Sequence, residues 1–222
     1  MKKIAIYGAG GFGREVEFLI QSINENKPQY EFIGYFDDVK YKGDIINSFP
    51  ILGGMNELNN YQDELCLAVA VGDPVTKKKI ITNIVNKKIS YPTLIHPNVV
   101  IGNKDVVSIG EGCIICAGVM ITVNIEIKDF VILNLGCTVG HDVVIGNYSS
   151  FMPSVNISGE VIIEDEVYVG TGAKIINQLE IGRGTIVGAG AVVAKSLPAN
   201  CTAVGIPAKP IKFHNDHMDK KD

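Results

Sequence analysis

From Ile109 onward, every sixth position of the chain is aliphatic or aromatic: Ile109, Ile115, Ile121, Ile127, Leu133, Val139, Ile145, Phe151, Ile157, Ile163, Val169, Ile175, Ile181, Val187 and Val193. Two residues earlier, small or β-branched side chains recur, among them Val119, Val131, Val143, Val155, Val161, Val167, Ala173, Thr185 and Ala191. Glycine often follows the large aliphatic residue, as in Ile109-Gly110, Val139-Gly140, Ile145-Gly146, Val169-Gly170, Ile181-Gly182 and Val187-Gly188. An α-helix cannot hold this period on one face, because six residues carry it well past one turn. Short strands can: residues i-2 and i point to the same side, and a bend after each strand turns the next toward the same axis. Three strands close a triangular coil, and stacked coils hydrogen-bond rung to rung around a continuous interior. The register predicts about five coils between Ile109 and Val193, with Ile101-Gly102 an earlier rung displaced by a two-residue offset near Val107-Ser108. A sandwich of alternating strands would not keep one register for so long.

The first part of the chain follows another rule. Lys3 to Tyr7 is a short apolar strand pattern, Gly8-Ala9-Gly10-Gly11-Phe12-Gly13 follows, and Arg14 to Ile20 has helical character. Strand, glycine loop and helix in this order match a dinucleotide fingerprint at Gly8, Gly10 and Gly13, where glycines let the backbone approach a phosphate at a helix N-terminus. A second strand, Phe32 to Phe36, ends in Asp37-Asp38, acidic groups able to accept a ribose hydroxyl. A third, Leu67 to Val71, ends in Gly72-Asp73, and Lys77 to Asn86 is expected to be helical. Alone, the fingerprint would suggest a nicotinamide dehydrogenase. The unit is, however, only half of a two-half dinucleotide fold, with no second half after it. A half-fold suits a mononucleotide, such as the nucleotide part of an activated sugar. The expected organisation is an α/β Rossmann-like half-domain at 1–92, a β-helix at 93–212 and a polar tail at 213–222.

Composition narrows the function. A net charge of -4 provides no basic field for a phosphate backbone, and Lys77-Lys78-Lys79 is a local run, so nucleic acid is not an expected partner. The apolar run before Gly8 is too short for a signal peptide, and no stretch is long enough to span a membrane, which leads to an expectation of a cytoplasmic protein without membrane insertion. Cys113, Cys116 and Cys137 lie among aliphatic residues and suit buried reduced thiols, with no metal site expected. The chain has four histidines. His96 lies at the domain junction, and His214 and His217 lie near the end. His141 is the one in the repeat body that falls at a corner, after inward Val139 and before Val143, where it projects from the prism. With Asp142 beside it and Gly159 one coil later, its imidazole is placed to take a proton from an amine or hydroxyl attacking a thioester, the carboxylate orienting the ring.

The motifs Gly8-Ala9-Gly10-Gly11, Phe36-Asp37-Asp38, Val71-Gly72-Asp73, Ile95-His96-Pro97, Ile132-Leu133-Asn134, Gly140-His141-Asp142 and Gly205-Ile206-Pro207-Ala208-Lys209 resemble, in this order, the family of sialic acid O-acetyltransferases and nucleotide-aminosugar N-acetyltransferases. The resemblance covers about residues 2–212, and the hexads are similar to those of the hexapeptide-repeat superfamily. It implies a left-handed parallel β-helix, a hand the usual crossover rule would not supply. It also implies that His141 is the general base supported by Asp142, with Asn134 in the active site. Acetyl-CoA would pass Ser150, Gly159, Thr171 and Ala189, with the Gly159 amide near the thioester oxygen and the Gly205–Lys209 turn closing around the cofactor. Gly8, Gly10, Gly11, Phe12, Asp37 and Asp38 would contact the substrate, and sites would form between subunits of a homotrimer. Phe12 stands where many relatives have histidine, and Asp142 where many have glutamate. The implied activity is acetyl-CoA-dependent acetylation of the amino group of a nucleotide-linked sugar, in surface glycan synthesis. O-acetylation of sialic acid or another sugar hydroxyl, and a non-catalytic nucleotide-binding trimer, are the alternatives. A zinc carbonic anhydrase on the same scaffold fails for want of histidines.

Overall fold

The computed structural model describes residues 1–214; His217 and the rest of the expected tail lie outside the described residues. The N-terminal part is an α/β unit: β1 (Lys2–Tyr7), α1 (Gly11–Asn26), β2 (Tyr30–Phe36), β3 (Ile45–Ile46), β4 (Phe49–Gly53), α2 (Met55–Asn59), β5 (Leu65–Val69), α3 (Pro74–Asn83) and β6 (Ile89–Ser90). The sheet order is β3-β4-β2-β1-β5-β6. All pairings are parallel except that of β3 with β4. Because β2 and β5 flank β1 on opposite sides, the order reverses at the carboxyl end of β1, the place where open α/β sheets bind ligands. The five residues of β5 are all buried, as a strand covered on both faces requires. On α1, Gly13, Val16, Leu19, Ile20 and Ile23 are buried, a stripe of helical period turned toward the core.

The second part is a triangular prism of three parallel sheets. Its first face runs from Leu94–Ile95 through Ile114–Ile115, Ile132–Leu133, Ser150–Phe151, Tyr168–Val169 and Ile186–Val187 to Cys201–Gly205. The second face runs from Val100–Ile101 to Val192–Val193, and the third from Val107–Ile109 to Glu180–Ile181. Partners lie 18 residues apart, as in Ile114 with Ile132 and Thr138 with Asn156. The interior holds the predicted ladder: Ile115, Ile121, Leu133, Val139, Ile145, Phe151, Val169, Val187 and Val193 are all fully buried in one cluster. The rungs begin earlier than the unbroken register suggested, at Leu94. The two-residue offset is a single 3-10 turn, Lys104–Val106, which keeps the strands on either side in phase. An antiparallel hairpin, Cys201–Gly205 with Ala208–Phe213, covers the last coil. Phe213 and His214, expected in a solvated tail, belong to this cover: Phe213 ends the strand, and His214 bonds Thr202 through Nε2 at 2.8 Å.

The two parts share a core. Leu94, Ile114 and Ile132 point outward from the first face and are buried in one cluster with Val16, Leu19, Ile20 and Ile23 of α1. Further along this face the outward residue becomes Ser150, and Lys77 of α3 meets it, Nζ donating to Oγ at 2.8 Å. The side chain of Lys77 is 1% exposed. Within the Lys77-Lys78-Lys79 run the spacing of α3 thus sends one lysine into the domain junction. Next to it, Lys78 reaches Glu166, which Arg183 also bonds. Helix α3 starts three residues before the expected point because Asp73 accepts from the Thr76 amide at 2.8 Å and Pro74 occupies the first turn.

Burial holds the Lys77 ammonium down to about 7, against ~10.4 for an exposed lysine. The unfolded chain therefore binds this proton more tightly, and through this group stability rises with pH between about pH 7 and 10.4. The stability of Lys77→Met relative to the parent, measured by urea unfolding, should be highest near pH 6–7. It should shrink toward pH 10 by up to about 1.4 kcal/mol per pH unit. A difference flat in pH would show that Lys77 titrates as an exposed lysine does.

Candidate active site

The edge between the second and third faces carries His141. The chain leaves the rung Thr138–Val139, turns at His141-Asp142 with Asp142 in the left-handed region at φ 58°, and enters Val144–Ile145. Both side chains are about half exposed, and His141 Nδ1 lies 2.8 Å from Asp142 Oδ2. A carboxylate can only accept, so Nδ1 carries the proton of this bond, and in the neutral ring Nε2 keeps the lone pair that a base needs. The bond to His141, and next a bond from Asn124, hold the Asp142 carboxyl below its ordinary range. Gly159, one coil on, lies beneath the ring: a Cβ there would stand 2.4 Å from His141 Nε2 and Cε1. The glycine thus leaves the space in which the imidazole lies.

The other candidates sit elsewhere. Asn134 is on the edge between the first and second faces, buried, with Oδ1 accepting from the Leu135 amide at 2.7 Å. The whole second face separates it from His141, roughly 15 Å at strand spacing. The glycine loop is on the Asn134 side. Burial, and next the charge of Glu15 on α1, raise the thiol of Cys116, one coil before Asn134, and a Cβ on Gly72 would be 3.7 Å from Met152, one coil after it. Within the loop the glycines divide by role. Gly8 has φ 102°, and a Cβ on Gly13 would lie 2.0 Å from the Gly8 carbonyl, so both are required by packing. A Cβ on Gly10 or Gly11 would meet nothing within 4 Å, and Gly10 gives α1 no side-chain cap. The open N-terminus of a 16-residue helix is therefore presented at the sheet's switch point. Phe12 is half-buried and packs on the core shared by α1 and the first face.

Asp37 bonds this loop, and Asp38 bonds the end of β1 and the start of α2. Asp37 accepts from the amides of Ala9, Val39 and Lys40, at 2.8, 2.9 and 3.2 Å, which ties the glycine loop to the turn after β2. Asp38 accepts from Met55 N at 2.8 Å and from the Tyr7 hydroxyl. Burial, then that bond, raises the Tyr7 phenol far above its ordinary range.

The residues expected along acetyl-CoA do not share one edge of one chain. Thr171 and Ala189 are exposed and stacked on the Asn134 edge, Gly190 N donating to Thr171 O at 2.8 Å. Gly159 is on the His141 edge. Ser150 is on neither: it is 0% exposed and bonded to Lys77, so its hydroxyl faces the domain junction and not a cofactor path. The sequence reading missed Lys77 because a lysine within a run of three looks solvated. Cys66, Cys113, Cys116, Cys137 and Cys201 are buried free thiols, and burial pushes Cys116 up to about 12 and Cys113 and Cys137 up to about 11. Among the described residues no cluster of His, Cys, Asp and Glu suits a metal ion, and no helix is long and apolar enough to cross a membrane.

A Rossmann-like unit docked on a left-handed parallel β-helix of hexapeptide repeats, with a carboxylate-supported histidine at a coil corner, defines an acetyl-CoA-dependent sugar acetyltransferase. The chain belongs to the PglD-type family of these enzymes. The PglD N-terminal domain profile matches residues 3–84, and the bacterial transferase hexapeptide profile matches residues 160–195. The GDP-perosamine N-acetyltransferase of Escherichia coli O157:H7 is 35% identical over 219 residues, covering 96% of this chain and 97% of its own. The acetyltransferase domain of PglB from Neisseria gonorrhoeae FA1090, solved with acetyl coenzyme A, superposes with a TM-score of 0.83 at 32% identity, over 95% of this chain and 99% of that one. PerB from Caulobacter crescentus, in complex with CoA and GDP-perosamine, gives 0.81 at 29% identity, over 95% and 97% of the two chains.

Because Gly159 is outside the left-handed region, alanine suits its backbone, but the added methyl must push the His141 ring off Asp142. Gly159→Ala is expected to lower kcat roughly 10- to 100-fold while leaving the unfolding midpoint within a few degrees of the parent. Unchanged turnover would show that the ring need not lie there.

Proposed function

We propose that the chain transfers the acetyl group of acetyl-CoA to the amino group of a nucleotide-linked amino sugar. The observation that carries this reading is the pairing of His141 Nδ1 with Asp142 at 2.8 Å, which leaves Nε2 as a base at an exposed corner. As the sugar amine attacks the thioester carbonyl, Nε2 takes its proton. The Asp142 carboxylate stabilises the imidazolium, and the proton then goes to the departing CoA thiolate. The Gly159 amide is the proposed donor to the carbonyl oxygen as charge develops there. The amine is favoured over a hydroxyl acceptor by the whole-length likeness to GDP-perosamine N-acetyltransferase and to PerB holding GDP-perosamine. Histidine-to-asparagine and histidine-to-alanine variants of the Caulobacter crescentus enzyme, both solved with CoA and GDP-perosamine, support a histidine as the group of interest. On the substrate side, the open Gly10-Gly11 turn and the uncapped start of α1 suit a diphosphate. Asp37 braces the glycine loop through Ala9, and both Asp37 and Asp38 retain lone pairs for a ribose. The cytoplasm, where nucleotide sugars and acetyl-CoA occur together, is the proposed compartment, and surface glycan synthesis the proposed use.

The working unit is proposed to be a homotrimer in which the glycine loop and Asn134 of one subunit meet His141 of the next. The separation of Asn134 and His141 by a full face supports this, since reacting groups must come within about 3.5 Å. Thr171 and Ala189 lie on the Asn134 edge and Gly159 on the His141 edge, so acetyl-CoA would lie in the same cleft between subunits.

The parent enzyme is expected to release CoA with GDP-perosamine, assayed first among GDP-, UDP- and dTDP-linked amino sugars, and His141→Ala to lose at least ~100-fold in kcat while still binding acetyl-CoA. Near-normal turnover of that variant removes His141 from the mechanism. Mixing inactive His141→Ala and Asn134→Ala subunits through partial denaturation should restore part of the activity, since some interfaces then carry both residues intact. No recovery from verified mixed trimers would place the two residues in separate sites or separate roles.

A further inference from the structure

On the edge that carries His141, the second residue of each corner is held in the left-handed region: Asn124 at φ 55°, Asp142 at 58°, Glu160 at 57° and Gln178 at 62°. They are 18 residues apart, so their side chains stack as a ladder on the outside of the prism. The ladder has paired rungs. Gln178 Nε2 donates to Glu160 Oε2 at 3.1 Å, and Asn124 Nδ2 donates to Asp142 Oδ1 at 2.9 Å. The second pair is joined to the base, because the other Asp142 oxygen, Oδ2, is the one that His141 Nδ1 reaches at 2.8 Å. The coils are also locked here by the backbone, Asp142 N donating to Val123 O at 3.1 Å and Glu160 N to His141 O at 2.8 Å.

A half-exposed aspartate bonded at one oxygen can still rotate about its side-chain torsions and exchange its partner for water. Bonded at both oxygens, from two different residues, it has one orientation. We propose that Asn124 is a positioning residue for acetyl transfer: its amide fixes the Asp142 carboxylate, which in turn fixes the His141 ring with Nε2 facing the reacting amine. The proposal rests on His141 being the base. Asparagine suits the position twice, since it tolerates positive φ better than most residues and its amide is a neutral donor that adds no charge beside the imidazole. The bond from Asn124 also favours the ionised carboxylate, acting in the same direction as the bond from His141. On the four stacked corners from Val123 to Gln178 the ionisable groups are His141, Asp142 and Glu160, the last bonded by Gln178, with Asp105 on the same edge one coil before and Lys195 one coil after.

Two variants separate positioning from a merely structural role. Asn124→Gly keeps the left-handed backbone and removes the amide. It is expected to lower kcat about tenfold, the size of one lost hydrogen bond, with KM for acetyl-CoA within about twofold and the unfolding midpoint near that of the parent. Asn124→Asp keeps size and backbone tolerance but sets a second carboxylate against Asp142. The added negative charge should raise the pKa of His141 and move the acid limb of the kcat/KM profile to higher pH, a shift that Asn124→Gly should not produce. In an Asp142→Gly background, which also accepts positive φ, Asn124→Gly should have almost no further effect, because the two act in series. Parent-like kcat in Asn124→Gly, an unmoved acid limb in Asn124→Asp, or additive losses in the double variant would each overturn the proposal. If His141→Ala turns over normally, it is the base assignment that fails, whatever Asn124 does.

Discussion

Every strand of the prism must bond to the strand one coil above and one coil below, and this closure condition governs the rest of the molecule. It sets the coil at 18 residues and puts departures at the corners: an excess of two in the coil that holds the Lys104–Val106 turn, and a shortfall of two in the last coil, where Ile186 pairs with Thr202. It lines like positions up in columns: inward columns become the apolar interior, and corner columns become rows of left-handed residues. The proposed site lies along one of those columns. The asparagine one coil before the aspartate, the His141-Asp142 corner and the glycine one coil after it lie on three successive coils of one edge, so residues 18 apart in sequence are neighbours.

The same geometry divides one chain's functional groups. Seven residues from Asn134 to His141 span a whole face, and an extended face holds its ends apart. The α/β unit adds to the division because it docks on the first face, with its ligand-binding end toward the Asn134 edge. Bending the prism far enough to join the two edges would break the rung hydrogen bonds between coils. Association of copies, as in the proposed trimer, would bring the two edges together without any bending.

Much of this was legible in the sequence. The six-residue register gave the coil, the inward column and the corner location of His141, because a repeated apolar position admits few foldings. The glycine loop and the acidic ends of β2 and β5 were legible for a similar reason, since each marks a strand ending at a ligand-binding edge. What was not legible depended on three-dimensional neighbours of ordinary residue type. Lys77 sits in a lysine run that looks solvated until α3 is docked, and Ser150 looks like a surface hydroxyl until Lys77 reaches it. The short β3–β4 hairpin and α2 carry too little periodicity to announce themselves. Asn124 is one coil from Asp142, so the register contained the pairing, yet nothing in the residue type singled it out.

The Lys77–Ser150 bond bears on how such enzymes can be recombined. The α/β unit meets the prism through an apolar patch that would tolerate many partners and one buried polar pair that would not. A chimera that exchanges the N-terminal unit for that of another transferase would bring an amine, or its absence, against a hydroxyl, or its absence, in a place closed to water. An exchange of the glycine loop and its sheet would therefore keep this junction matched only if the outward residue of one β-helix rung travels with them.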